Sequence, residues 1–508
     1  MTSVEQAVQY LKRSGIDWMA TLCGHGLNPL FYAARDAGMR LIDTRNEQTA
    51  SYIADYWGKL TGRPGICAVS SGVAHANALT GVVNAWFDRS PMLLISGAGA
   101  LATAGMGHFQ DMDQVSMARP VTRYARTIDI PNRAVQIFAE ALAESAAAPR
   151  GPVHITYPMD IQTARVGRDL VAPSIRPAAP PASIPESVER ALAKSRRPLI
   201  LAGSEIFYEG AGEELLAFAA QHGIPFQIPI WDRGFVPQPH PAYCGVIGAA
   251  TGGPDLLAEA DCVILAGTGI DYRVAYGAPA KKFIRIDRGL TSWSALKTGG
   301  FGDWLKSARK KLGVHRAGVE AAGRRQSRKG LHAVHVIEAI GAVRTPETML
   351  LVDGGSIGQW AHQMLFSEIY PGHCLTCGRS GVVGWGLGGA MAARLARPAS
   401  PVILLSGDGA FTFTATEIEC AVRQKLPFVA VVADDQSWGI TRTGHEKEFG
   451  KAVSSTLGPI AFDRLAESLG ARGRTAVTPE AIERELREAL DMDAVTVIHV
   501  PIVGGLCV

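Results

Sequence analysis

The sequence predicts an α/β protein of three domains, each a mostly parallel sheet flanked by helices. Three observations predict it. Short apolar runs alternate with helix-like segments along the chain. A Pro- and Ala-rich stretch, residues 172–185 (APSIRPAAPPASIP), reads as an extended linker between two such blocks. The length, 508 residues, exceeds one ordinary core and suits about three domains.

The first block, 1–168, has strand-like runs at 66–69, 92–95 and 153–155. The second, 186–325, has them at 198–202 (PLILA) and 262–266 (CVILA), each preceded by a helical segment and followed by glycine. Residues 306–330, ending in GRRQSRKG, are basic and poor in apolar residues, and read as an exposed connection with solvated charge. The third block, 331–508, has strand signals at 349–352, 402–405, 428–432 and 495–500, with helical stretches at 416–424 and 479–490.

Composition excludes several classes. Hydrophobic residues at 47% and charged residues at 19% fit a packed globular chain rather than a disordered one. A net charge of +3, with no long basic run, gives nucleic acid nothing to bind. No apolar stretch has membrane-spanning length, and the first residues hold no signal-peptide apolar core, so a cytoplasmic location is expected. Eight cysteines make no disulfide framework. Cys374-Leu-Thr-Cys377 has no second pair for zinc and reads as small residues on a loop.

The chemistry is carried by residues 404–440. An apolar strand runs into Gly407-Asp408-Gly409; a helix and a second strand follow, then Asp434-Asp435-Gln436-Ser437-Trp438-Gly439, with 24 residues between Gly409 and Asp434. This is the pattern of a metal–phosphate site at the carboxyl ends of parallel strands. Glycines let backbone approach a phosphate, and a helix start offers free N–H groups. Asp408 and Asp435 are hard oxygen ligands suited to Mg²⁺.

These residues resemble the thiamine-diphosphate enzymes of the acetohydroxyacid (acetolactate) synthase and benzaldehyde lyase type. The family motif is GDG, a gap of this length, then Asn-Asn. The resemblance implies Mg²⁺ on Asp408, Asp435 and the Ser437 carbonyl. It implies a diphosphate-side cradle of Gly407, Gly409, Ala410, Phe411, Trp438 and Gly439, joined by Ser356 of the DGGSIGQ run. Asp434-Asp435 departs from Asn-Asn and adds negative charge beside a diphosphate. In residues 41–57 (LIDTRNEQTASYIADYW), Glu47 matches the glutamate that hydrogen-bonds the cofactor's aminopyrimidine and helps deprotonate its thiazolium carbon. Residues 68–77 (AVSSGVAHAN) match a glycine-rich loop. Gln110 matches a glutamine beside the thiazolium. Gly381 and Val383 of GVVGWG match the run whose bulky apolar residue wedges under the cofactor. His25 lies one residue from an active-site histidine of benzaldehyde lyase and is a candidate proton relay; His75 is a weaker one.

The resemblance implies pyrimidine-binding, central and diphosphate-binding domains, a small-molecule carbonyl substrate, and a homodimer or homotetramer with active sites between subunits. The leading function is an acetolactate-synthase-like carboligase or decarboxylase acting on a 2-oxo acid or 2-hydroxy ketone. A benzaldehyde-lyase-like or 2-hydroxyacyl-CoA-lyase-like enzyme is the alternative, because Gly444 stands where the synthases carry a substrate-gating tryptophan. A non-catalytic homologue with weakened cofactor binding is the alternative of another class. FAD in the central block, suggested by Asp271-Tyr272-Arg273-Val274, is the lesser expectation, since several relatives lack it. Gly97-Ala-Gly-Ala-Leu-Ala102 fits a dinucleotide pattern, but no acidic strand end follows about 20 residues on, which argues against NAD.

Overall fold

The computed structural model describes residues 1–167, 183–248, 253–278, 282–287 and 289–505. Most of the expected linker lies outside them. The chain forms two compact units.

The first unit holds a parallel sheet of β1 (Trp18–Leu22), β2 (Arg40–Asp43), β3 (Gly65–Val69), β4 (Met92–Ala98), β5 (Tyr124–Thr127) and β6 (Pro152–Pro158). Its order is β2-β1-β3-β4-β6-β5. The inner strands β3 and β6 are buried at every residue, as parallel strands covered on both faces should be. The edge strands are shorter and more polar; in β2 only Ile42 is buried.

The second unit holds two parallel sheets. The central one contains β7 (Pro198–Ala202), β8 (Phe226–Pro229), β9 (Tyr243–Ile247), β10 (Cys262–Ala266) and β11 (Phe283–Ile286), ordered β11-β10-β7-β8-β9. The other contains β12 (Met349–Asp353), β13 (Cys374–Thr376), β14 (Val402–Gly407), β15 (Val429–Asp434), β16 (Arg472–Thr475) and β17 (Thr496–Pro501). Its order, β13-β12-β14-β15-β17-β16, repeats the topology of the first unit's sheet strand for strand. One apolar cluster runs from Ile200 and Phe226 of the central sheet to Trp360 and Ile498 beside the other, which makes the two a single body.

Two local expectations are corrected. The basic segment is not a connection: Gly302–Gln326 is one helix of 25 residues. It buries Trp304, Ala308, Leu312, Val319 and Gly323 along one side, a helical stripe sparse enough to be hidden by the surrounding charge. Cys374 lies on strand β13 rather than on a loop, and both it and Cys377 are free thiols.

In the first unit, helix Glu47–Thr61 is buried nearly all round, including two ionisable side chains. Lys59 Nζ lies 3.1 Å from Asp55 Oδ2 and 2.7 Å from Asp88 Oδ2, and sits 4.0 Å above the Tyr56 ring. Burial is the largest effect on Asp55 and pushes its carboxyl up to about 6, against the pull of Lys59. The cluster reaches into a late stretch of chain: the Arg379 N–H donates to Asp88 at 2.8 Å, and Trp385 stacks on Tyr56 at 4.0 Å. Helix Gly386–Ala396, which follows Trp385, packs against helix Glu47–Thr61. Removing Lys59 takes the cation away from the fully buried Asp55 and leaves Asp88 only the more distant Arg379 guanidinium, at 3.9 Å. Lys59→Met is expected to lower stability by about 3–5 kcal/mol, seen as a lower urea midpoint by tryptophan fluorescence. An unchanged midpoint would contradict this account of the core.

Candidate active site

In open parallel sheets, ligands bind beyond the carboxyl ends of the strands where the strand order reverses. In the first unit that point lies between β1 and β3. The segment after β1 carries His25, and the segment after β3 carries Ser70-Ser71-Gly72. The His25 carbonyl accepts Ser70 Oγ at 2.7 Å and the Ser71 N–H at 3.2 Å, tying the two strand ends together. The His25 ring packs edge-on against Phe109, with centroids 5.4 Å apart.

Ser71 Oγ donates to Gln110 Oε1 at 2.7 Å. Gln110 is a non-glycine residue at φ 59°, a costly conformation that persists because its surroundings fix it. Gly72, at φ 60°, passes so close that a Cβ there would lie 2.8 Å from Gln110 Cβ. The Gly72 N–H donates to Gln114 Oε1 at 2.9 Å, and Gln114 Nε2 donates to the Gly97 carbonyl at 2.9 Å. Gln114 thus stitches the ends of β3 and β4 under the Gln110 loop.

Glu47 opens helix Glu47–Thr61, whose N-cap Asn46 accepts the Gln48 N–H at 2.8 Å. A carboxylate is stable at that dipole end. Asn77 Nδ2 donates to Glu47 Oε2 at 3.1 Å. Behind it, the buried Glu417 accepts the Arg45 N–H through both oxygens, at 3.0 and 3.1 Å, and burial pushes its carboxyl up to about 7.

In the second unit the order reverses between β12 and β14. Helix Ser356–Met364 starts just after β12, and Asp408 follows directly on β14. Asp408 is 5% exposed. Burial, then the neighbouring Asp435 and Asp434, push its carboxyl up to about 7. Burial raises Asp435 as well, against the hydrogen bonds from Ser437. Asp435 Oδ1 accepts the Ser437 N–H at 3.2 Å and Ser437 Oγ at 3.0 Å. The Trp438 ring lies so close to Gly409 that a Cβ there would meet it at 2.7 Å. Gly439 lies against Ser356, and Phe411 is buried in the core. Among the described residues, no three His, Cys, Asp or Glu side chains form a metal cage. Two crowded carboxylates beside open backbone fit a cation that takes its other oxygens from carbonyl, phosphate or water.

The second unit therefore brings Asp408, Asp435, Ser437, Trp438, Gly439, Gly407, Gly409, Ala410, Phe411 and Ser356 to one end of one sheet. The first unit links His25, Ser71 and Gln110, and joins Glu47 to Asn77. Gly381 and Val383 also belong to the first unit. His75 is buried beneath these residues: its Nδ1 lies 2.8 Å from Ser96 Oγ, and burial lowers it to about 4. Nothing in the sequence singled out Gln114 or Glu417, whose importance depends on contacts between distant segments. Asn77 carried a faint one, as the end of the glycine-loop run.

Gln436 sits between Asp435 and Ser437 at φ 54°. That turn sends the Asp435 carboxylate and the Ser437 backbone to one side. A β-branched residue resists it by about 1–3 kcal/mol, and glycine does not. Calorimetric titration with Mg²⁺ and thiamine diphosphate is expected to show Gln436→Val binding about tenfold or more weakly, with Gln436→Gly near the unaltered protein.

Three family models match in succession: the thiamine pyrophosphate enzyme N-terminal TPP binding domain over residues 1–117, the central domain over 186–294, and the C-terminal TPP binding domain over 353–500. "Probable acetolactate synthase" of Mycobacterium bovis is 30% identical over 520 aligned positions, covering 96% of this chain and 94% of that one. "Probable acetolactate synthase large subunit" of Methanocaldococcus jannaschii is 26% identical, covering 96% and 90%. "2-Hydroxyacyl-CoA lyase 2" of Homo sapiens is 27% identical, covering 92% and 84%. With the expected motifs lying at the strand ends of two like sheets, and the likeness running almost end to end, the chain belongs to the thiamine-diphosphate enzymes of the acetolactate synthase and lyase type.

Proposed function

We propose that the chain is an acetolactate-synthase-like carboligase or decarboxylase acting on a 2-oxo acid, with Mg²⁺ as its metal. The observation that carries this reading is the crowding of Asp408, Asp434 and Asp435 at the ends of β14 and β15, a concentration of negative charge that calls for a divalent cation. Asp408, Asp435 and the Ser437 carbonyl would hold that cation. Gly407, Gly409 and Gly439 give backbone access to the diphosphate, and Ser356 adds a hydroxyl at a helix start.

Thiamine diphosphate, when bound, supplies a carbon nucleophile and an electron sink. The remaining work falls to the protein. Asn77 occupies Glu47 Oε2, which leaves Oε1 to hold a proton shared with the cofactor's ring nitrogen. Ser71 fixes Gln110 Oε1, which leaves Nε2 to donate to a substrate carbonyl oxygen. His25 would pass protons between the site and solvent. Gly381 and Val383 would support the cofactor from below.

A second reading, a lyase acting on a 2-hydroxy ketone or 2-hydroxyacyl-CoA, is favoured by Gly444. A Cβ at that position would meet nothing within 4 Å, so the place where the synthases carry a gating tryptophan is open to a larger substrate.

The domain boundaries are proposed at 1–168, 186–325 and 331–508. A homodimer or homotetramer is proposed because helix Val73–Asp88 leaves Val73 66%, Trp86 41% and Phe87 47% exposed, an apolar face suited to a second copy. A cytoplasmic site of action is proposed; no helix among the described residues is long and apolar enough to cross a membrane.

Purified protein loaded with thiamine diphosphate and Mg²⁺, offered pyruvate, benzoin or a 2-hydroxyacyl-CoA in separate assays, is expected to turn over pyruvate. Turnover of benzoin or the thioester alone would transfer the assignment to the lyase reading. Glu47→Gln is expected to slow hydrogen–deuterium exchange at the bound thiazolium carbon about 10²–10⁴-fold, read by NMR after acid quench. An unchanged exchange rate would remove Glu47 from the mechanism.

A further inference from the structure

The aspartate at position 434, where the resembling enzymes carry asparagine, is not left to itself. Asp434 ends β15, is 5% exposed, and uses its two carboxylate oxygens separately. Oδ1 accepts the Gln436 N–H at 3.0 Å. Oδ2 lies 2.9 Å from His499 Nε2. A carboxylate only accepts, so Nε2 carries the hydrogen and donates it.

His499 stands on the neighbouring strand β17, in register with Val432. Its side chain is 12% exposed. The Phe462 ring meets it edge-on, with centroids 5.3 Å apart, and Phe462 meets Phe411 in the same way at 5.7 Å. Phe411 lies on the short helix that Asp408 opens. The imidazole is therefore clamped between the carboxylate it serves and a ring stack leading to the other metal-site strand.

We propose that His499 is the positioning residue that makes aspartate workable at 434. By taking Oδ2, it leaves Oδ1 aimed at the Gln436 N–H, and that bond sets the left-handed turn presenting Asp435 and Ser437. Asp434 and His499 then act as a unit in the place of the single asparagine. The inference rests on the reading of Asp408, Asp435 and Ser437 as the Mg²⁺ and diphosphate site.

The test is a double-mutant cycle read by calorimetric titration of thiamine diphosphate at saturating Mg²⁺, with circular dichroism melting of each variant as the check on folding. His499→Leu is expected to weaken cofactor binding about 10–100-fold, the usual effect of removing the partner that orients a metal-site group. His499→Gln, which still offers an N–H, is expected to retain most of the affinity. Asp434→Asn in the His499→Leu background is expected to restore binding, because asparagine needs no donor from β17 and leaves no buried carboxylate oxygen unmet. Two results would overturn the proposal: His499→Leu binding as tightly as the unaltered protein, or the double variant binding no better than His499→Leu. If His499→Leu fails to fold, His499→Gln decides: retained affinity supports the proposal, and a loss of about tenfold or more, despite the N–H that glutamine still offers, counts against it. Failure of the unaltered protein to bind the cofactor would instead sink the site assignment itself, and this inference with it.

Discussion

Carboxylates cannot be drawn out of water together without something to meet their charge. Asp408, Asp434 and Asp435 lie on or just beyond two adjacent parallel strands, and neighbouring parallel strands end on the same side of a sheet. Once β14 and β15 pair in that register, the three side chains have little room to avoid one another. What surrounds them follows from that constraint. Ser437 donates twice to Asp435, the Gln436 N–H and His499 divide Asp434 between them, and Asp408 is left with the highest demand for a cation.

Several inner strands were legible because burial on both faces writes itself as an unbroken apolar run. β3, β4, β7, β10, β14 and β15 all read that way. The edge strands β5 and β16 were not: both are short and half exposed, and a strand such as Arg472–Thr475 looks like loop until its neighbour is known. The helix Gly302–Gln326 was misread for a related reason, since its few buried residues are spread among many charges. The site divides similarly. Asp408, Asp435 and Glu47 could be found because their chemistry needs particular residue types beside strand and helix ends. Gln114, Glu417 and His499 could not, because each matters through a partner far away in sequence.

The two outer sheets share one strand order, which turns back on itself at β1–β3 and at β12–β14. Each offers a crevice beyond its strand ends there. The first is furnished with a carboxylate and amides, the second with acidic groups and open backbone. The central sheet has a different order, and its own reversal point is filled: Asp232 accepts Ser204 Oγ at 3.1 Å and Thr268 Oγ1 at 3.0 Å, and pairs with the buried Arg273 at 3.3 Å.

The first unit is built from pieces of chain that are made far apart. Beside residues Met1–Ala178 it includes Gly378–Ala399 and Thr414–Pro427, which supply Trp385 against Tyr56, helix Gly386–Ala396 against helix Glu47–Thr61, and Glu417 beneath Arg45. During synthesis the amino-terminal sheet emerges long before those pieces exist. At ordinary elongation speeds the wait is on the order of tens of seconds, with the flank of helix Glu47–Thr61 bare throughout. The nascent chain must hold that apolar flank without its cover, so a ribosome stalled anywhere in the middle block would release an incomplete unit prone to sticking to its neighbours.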